Sequence, residues 1–106
     1  MSMNDHGISL FFPIYNDAGT VRIVAEKAMD LLTSVTDQWE IIIVDDASPD
    51  GAGAIADGLA TELSRVRVIH HLKNLGYGAA IRSGLAACRC REFGSSGREA
   101  AARLVR

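Results

Sequence analysis

Cysteine is nearly absent from this sequence, with Cys88 and Cys90 as its only thiols. Two cysteines that close in sequence cannot form an ordinary disulfide and are too few for a four-ligand zinc site, which excludes a disulfide-stapled secreted domain and a zinc module. Long apolar runs are also missing. Nothing approaches the roughly 18 residues of a membrane-spanning helix, and the leading MSMNDHG has neither the charged nor the apolar region of a secretory signal. Charge of one sign is not in excess: the formal net charge is −2 and no basic block occurs, so nothing in the charge suggests a nucleic-acid or membrane-surface footprint. Aromatic residues are few. What is present, 48% hydrophobic and 23% charged residues over 106 positions, is the composition of one soluble globular domain or part of one, with a reduced, cytoplasmic setting as the expectation.

The hydrophobic period changes in the same order three times. Residues 8–12 (ISLFF) read as a strand. From Val21 the apolar positions Val24, Ala25, Ala28, Leu31, Leu32 and Val35 fall at three-and-four spacing on one helical face. Residues 40–44 (EIIIV) form a second strand, so uniformly apolar and β-branched that burial on both faces of a parallel sheet is expected. A second helix is expected from Ser48-Pro49-Asp50, where Ser or Asp can cap and Pro suits the first turn, with Ile55, Leu59 and Leu63 stacked along it. VRVIH at 66–70 is a third strand, and residues 78–88 a third helix. Three βα units in succession predict right-handed crossovers onto a parallel sheet. After residue 88 the sequence RCREFGSSGREAAARLVR offers no fourth apolar strand. The reading is therefore two segments: 1–88, an α/β unit, and 89–106, a polar tail that is helical, disordered or an appended or frame-shifted sequence.

The second strand ends on two carboxylates, Asp45 and Asp46. Ligands of open parallel sheets bind beyond the carboxyl ends of the strands, and consecutive strand residues point to opposite faces. One of the two acids is therefore expected to face a ligand while the other meets backbone amides or caps the next helix. GAGAIA at 51–56 fits the letters of a dinucleotide fingerprint, but six residues separate it from the strand where the fingerprint needs a tight turn. The glycines of NLGYGAAIRSG lack the lysine-serine pair of a P-loop and read as loop and close-packing positions. His70 and His71, adjacent on a strand end, point apart and are expected to be ordinary surface or core histidines, and Cys88 and Cys90 ordinary thiols on a helix surface. No metal site is assigned.

SLFFPIYNDAGTV, EIIIVDDASPDG and VRVIHHLKNLGYGAAIRSGLAA, taken together and in this order, resemble the first half of the catalytic domain of family 2 inverting glycosyltransferases, in particular the dolichyl- or polyprenyl-phosphate sugar synthases. The resemblance implies a GT-A-type nucleotide-binding α/β/α sandwich with parallel strands, here truncated after the third βα unit. It also implies a parent reaction that transfers a hexose from a nucleotide diphosphate sugar to polyprenyl or dolichyl phosphate. Residue by residue, it marks Pro13, Tyr15, Val44 and Asp46 for the nucleotide, with Asp17 where the family usually has Glu, and Lys73, Asn74 and Gly76 for the loop beside the diphosphate. In this family a proline turn after strand one and a carboxylate after strand two hold base and ribose.

The same resemblance implies a divalent metal, Mg or Mn, held by an Asp-Xaa-Asp motif after the next strand, and a lipid-phosphate acceptor reached at the cytoplasmic membrane face. Neither that motif nor the acceptor-binding half is in this sequence, so the chain is not expected to hold the metal tightly or to be active alone. Nucleic acid is not an expected partner, and exposed sheet edges allow a homo-oligomer. Two other classes fit the architecture: a receiver-like signalling module, and a nucleotide-binding fold serving only in assembly. A receiver needs an acceptor aspartate ending strand three, where this sequence has histidine.

Overall fold

The computed structural model describes residues 7–89. It contains three parallel strands, β1 (Ile8–Ile14), β2 (Trp39–Asp45) and β3 (Val66–His70), in the spatial order β1-β2-β3. Helix α1 (Val21–Val35) follows β1, α2 (Ala52–Glu62) follows β2 and α3 (Tyr77–Ala87) follows β3.

Alternation along the strands divides the core in two. Leu10, Phe12, Ile14, Ile41 and Ile43 face α1 and α2, where they meet Val21, Ala25 and Leu32 of α1 and Ala52, Ala56 and Leu59 of α2. Phe11, Ile42 and Val44 face the opposite way and pack with Ala80 of α3 and with Cys88. Every residue of β2 is buried, as its apolar run requires of a central parallel strand. Each fully buried Ile or Phe contributes about 1.5–3 kcal/mol relative to exposure, so β2 and its neighbours carry much of the fold. Gly84 sets the approach of α3: a Cβ there would overlap the Phe11 ring, with Cγ at 2.6 Å.

The end of the sheet away from the strands' carboxyl termini is fastened by a charge. Glu40, fully buried, accepts from Ser9 Oγ (2.6 Å), Arg67 Nη2 (2.9 Å), Arg89 Nε (3.1 Å) and the Arg89 N–H (2.7 Å). Arg67 Nη2 also donates to the Ala87 carbonyl at 2.6 Å, so β1, β2, β3 and the C-terminus of α3 meet on one carboxylate. Burial alone would raise the Glu40 pKa, but the hydrogen bonds from Ser9, the Arg89 N–H and Arg67 outweigh it and hold the group below the ordinary carboxylate value.

Several boundaries differ from the sequence reading. Pro13 lies inside β1, paired in register with Val44, and not in a turn after it. Among the described residues β1 has a strand neighbour on one side only, and a proline needs no ladder donor on an open side. α2 begins at Ala52, with Gly51 (φ 86°) before it; Ser48-Pro49-Asp50 is loop, and Asp50 Oδ1 accepts the Ala52 N–H at 3.1 Å. Of the apolar stripe on α1, Val21, Ala25, Ala28 and Leu32 are buried, whereas Val24, Leu31 and Val35 are exposed. Cys88 is buried under α3 and not on a helix surface. His6, Cys90 and the tail from residue 90 lie outside the described residues.

Candidate functional site

Helices α1 and α2 cover one face of the sheet and α3 the other, packing back across β2 onto β1. The helix after β3 thus lies on the face opposite the first two, and the loops after β1 and β3 part at the carboxyl end of β1, as at the switch points of open α/β sheets. In open α/β sheets such a switch point opens a crevice. A cleft of about 330 Å³ occupies it, lined by Pro13, Ile14, Tyr15, Asp17, Asp46, Asn74, Gly76, Tyr77 and Ala80. Tyr15 and Tyr77 are both about half exposed and border this cleft.

The loops that shape it are tied to one another. Asp17 Oδ2 accepts the Tyr15 N–H (3.2 Å), Ser48 Oγ accepts the Asn16 N–H (3.3 Å) and Asp50 Oδ2 accepts the Ala18 N–H (2.8 Å). Asn16 and Ala47 hold left-handed φ of 61° and 60°. Asparagine reaches that region readily, but alanine does not, so the bend after the acid pair is strained.

Asp45 and Asp46 point to opposite faces, and each meets a histidine: Asp45 meets His70, the last residue of β3, and Asp46 meets His71, the residue after it. Asp45 is in register with His70; its Oδ2 lies 2.8 Å from His70 Nδ1, and its Oδ1 accepts the Ser48 N–H at 2.9 Å. The other ring nitrogen of His70 lies 2.8 Å from Asp57 Oδ1. Hydrogen bonds to Asp57 and Asp45 raise the His70 pKa above its ordinary value against the opposing effect of burial. Gly53 makes room for this pair: a Cβ at residue 53 would overlap Asp45 Oδ2 and lie 3.2 Å from His70 Cε1.

Asp46 turns to the α3 side. Its Oδ1 accepts from His71 Nδ1 (2.7 Å) and the Leu75 N–H (2.8 Å), and its Oδ2 from the Gly76 N–H (2.9 Å). His71 Nε2 is 2.8 Å from Ser83 Oγ. Burial would raise the Asp46 pKa, but the Leu75 N–H, His71 and the Gly76 N–H lower it further, and the group is held as a carboxylate. The aspartate thus fixes the 74–77 turn that forms one wall of the cleft.

The residues singled out from the sequence divide accordingly. Pro13, Tyr15, Asp17, Asp46, Asn74 and Gly76 line one cleft. Val44 is fully buried among Phe11, Ile42 and Ala80, and Lys73 is exposed outside the lining. Tyr77 and the histidine pair were missed. The sequence holds an acid pair and a histidine pair near the ends of two strands, but only the register of those strands brings each acid to its own histidine. Among the described residues no group of three or more His, Cys, Asp or Glu side chains converges to hold a metal ion, and no helix is long and apolar enough to cross a membrane.

Comparison with known proteins points in the same direction as this geometry. The chain is 36% identical over 76 residues to a polyprenol monophosphomannose synthase of Mycolicibacterium smegmatis, covering 71% of this chain and 27% of that protein. It is 33% identical over 72 residues to an undecaprenyl-phosphate mannosyltransferase of Micrococcus luteus, covering 68% of this chain and 28% of the other. It therefore spans about a quarter of the length of these relatives. Among solved structures, the mannosyltransferase PcManGT of Pyrobaculum calidifontis, in complex with GDP-Man and Mn2+, superposes with a TM-score of 0.65 at 18% identity over 77% of this chain and 24% of that one. This likeness establishes the fold, three GT-A-like βα units with helices on both faces of a parallel sheet. Residues 9–93 match the family described as Glycosyl transferase family 2, so the acid-terminated central strand and the cleft beside it are those of a chain that belongs to glycosyl transferase family 2.

Proposed function

We propose that this chain is the nucleotide-binding part of a nucleotide-sugar glycosyltransferase whose parent reaction transfers a hexose from a nucleotide diphosphate sugar to polyprenyl or dolichyl phosphate, in a cytoplasmic setting at the membrane face. The observation that carries this reading is the cleft at the carboxyl end of β1, bordered by two half-exposed tyrosines with the buried Asp46 in its wall. Tyr15, next to the rigid Pro13, offers a ring for a base, and Asp46 and Asp17 accept hydrogen bonds from base or ribose donors. Val44 forms the buried floor behind them. Lys73, Asn74 and Gly76 belong to the loop beside the diphosphate, which they shape. Residues 1–88 form this nucleotide-binding half, with the polar tail following.

A divalent Mg or Mn ion would neutralise charge on the departing diphosphate. The described residues do not fit one by themselves, because no three metal-ligating side chains converge and Asp46 already accepts three protein donors. Its ligands must come from elsewhere in a complete enzyme. The 106-residue chain is accordingly expected to give no transfer to polyprenyl phosphate with Mg or Mn in a radiolabelled-sugar extraction assay. Metal-dependent turnover would show instead that these residues assemble a complete site.

Calorimetric titration with GDP and UDP tests the nucleotide site directly. Asp46→Asn removes the charge-assisted acceptor and should weaken binding by about 1.5–3 kcal/mol, tenfold or more, whereas Asp45→Asn, on the other face, should change stability and leave affinity nearly unaltered. Equal affinity for Asp46→Asn and wild type, or no binding of either nucleotide at millimolar levels, would overturn the reading.

A further inference from the structure

Asp46 has an asymmetric set of donors. Oδ1 accepts two, His71 Nδ1 and the Leu75 N–H, which fills its two lone-pair directions. Oδ2 accepts only the Gly76 N–H among the described residues, and so keeps one direction for a further donor. Which oxygen stays available is decided by His71, whose side chain is itself buried and held at its far nitrogen by Ser83 of α3. Since a carboxylate only accepts, Nδ1 must carry a proton; in the neutral ring Nε2 is then the acceptor, and the Ser83 hydroxyl donates to it. The orientation of the carboxylate is therefore set by a hydrogen-bond chain from Ser83 of α3, through the residue after β3, to the residue after β2.

We propose that His71, locked by Ser83, is a positioning residue for the nucleotide: it saturates Oδ1 of Asp46 and leaves Oδ2 as the single acceptor offered to a ribose hydroxyl or base N–H. This rests on the reading of the cleft as a nucleotide site. His71 touches no substrate and acts through Asp46. The groups facing its ring are Asp46 from the end of β2 and Ser83 from α3.

The test has two arms on the full 106-residue chain. Side-chain ¹⁵N–¹H correlation spectra, recorded at alkaline pH, should show His71 as the Nδ1–H tautomer, the less common one in free histidine; an Nε2–H tautomer would overturn the proposal. In the second arm GDP and UDP are titrated into His71→Ala, His71→Asn and Ser83→Ala. His71→Ala should bind about tenfold more weakly, while His71→Asn, whose amide N–H stands near the Nδ1 position, should regain most of the loss. Ser83→Ala, which keeps the Asp46 bond but frees the ring, should fall between them. Unchanged affinity in His71→Ala, or a loss in His71→Asn as large as in His71→Ala, would overturn the proposal. Should His71→Ala not fold, His71→Asn and Ser83→Ala decide. Failure of wild type to bind either nucleotide would remove the nucleotide reading, and with it the proposed role, while the tautomer would still report on the hydrogen-bond chain.

Discussion

His70 sits between two carboxylates, and only the imidazolium can donate to Asp45 and Asp57 together. Its pKa is raised on folding, so the stabilisation is fully present below the ordinary histidine value and is lost as pH rises through the folded one. Asp45, Asp46 and Glu40 have lowered values, and their contribution is present above the ordinary carboxylate range and lost as pH falls through the folded values. Stability should therefore peak between these ranges. Urea unfolding followed across pH should show the alkaline decline in wild type and a flatter alkaline limb in His70→Asn; identical limbs would mean that the bridge contributes nothing. Single residues also mark where the sequence was readable. An acid pair at the end of a buried strand is a visible candidate for a site, although Asp45 and Asp46 also serve the fold by accepting the Ser48, Leu75 and Gly76 N–H groups. That each acid has its own histidine depends on strand register, which no local pattern encodes. Val44 looked like a site residue by its place in a motif, but its side chain is in the core, as an apolar residue on a central strand usually is.

At the level of elements, all three strands and three helices were legible, since their periods and β-branched content follow from burial. Their ends were less so. Pro13 reads as a strand terminator until the strand is known to be an edge, and Ser48-Pro49-Asp50 reads as a helix start until Asp50 is seen bonded to the loop after β1. The α1 stripe was read correctly as one face, but period alone does not say how much of that face is covered. Gly84 shows how narrowly one interface is set. Alanine there must push α3 off Phe11 or turn the ring, and Gly84→Ala should cost about 1–3 kcal/mol in chemical denaturation, as overpacking does. Gly58, with nothing near its missing Cβ, provides the control: Gly58→Ala should stabilise α2 by about 0.5–1 kcal/mol. Equal effects at the two positions would show that helix propensity, and not contact with Phe11, governs residue 84.

For the molecule as a whole, β1 has a strand neighbour on one side only among the described residues, and beside it runs a groove of about 420 Å³ lined by Leu10, Phe12, Val24, Lys27 and Leu31. An open edge next to apolar surface invites pairing with another chain. Sedimentation velocity over micromolar concentrations should show concentration-dependent self-association, and a rigid, thermally robust monomer throughout would contradict this. The Glu40 cluster acts at the same scale. It grips α3 at its C-terminus, at the end of the sheet opposite the cleft, while the N-terminus of the helix carries Tyr77 to the cleft wall. The 11-residue helix, roughly 16 Å long, is also held near its other end, where Asp46 accepts the Leu75 and Gly76 N–H groups and His71 meets Ser83 Oγ, so it cannot tilt about the Glu40 end without breaking those bonds. Tyr77 is therefore placed in the cleft wall by two buried carboxylates, Glu40 and Asp46, at opposite ends of the sheet.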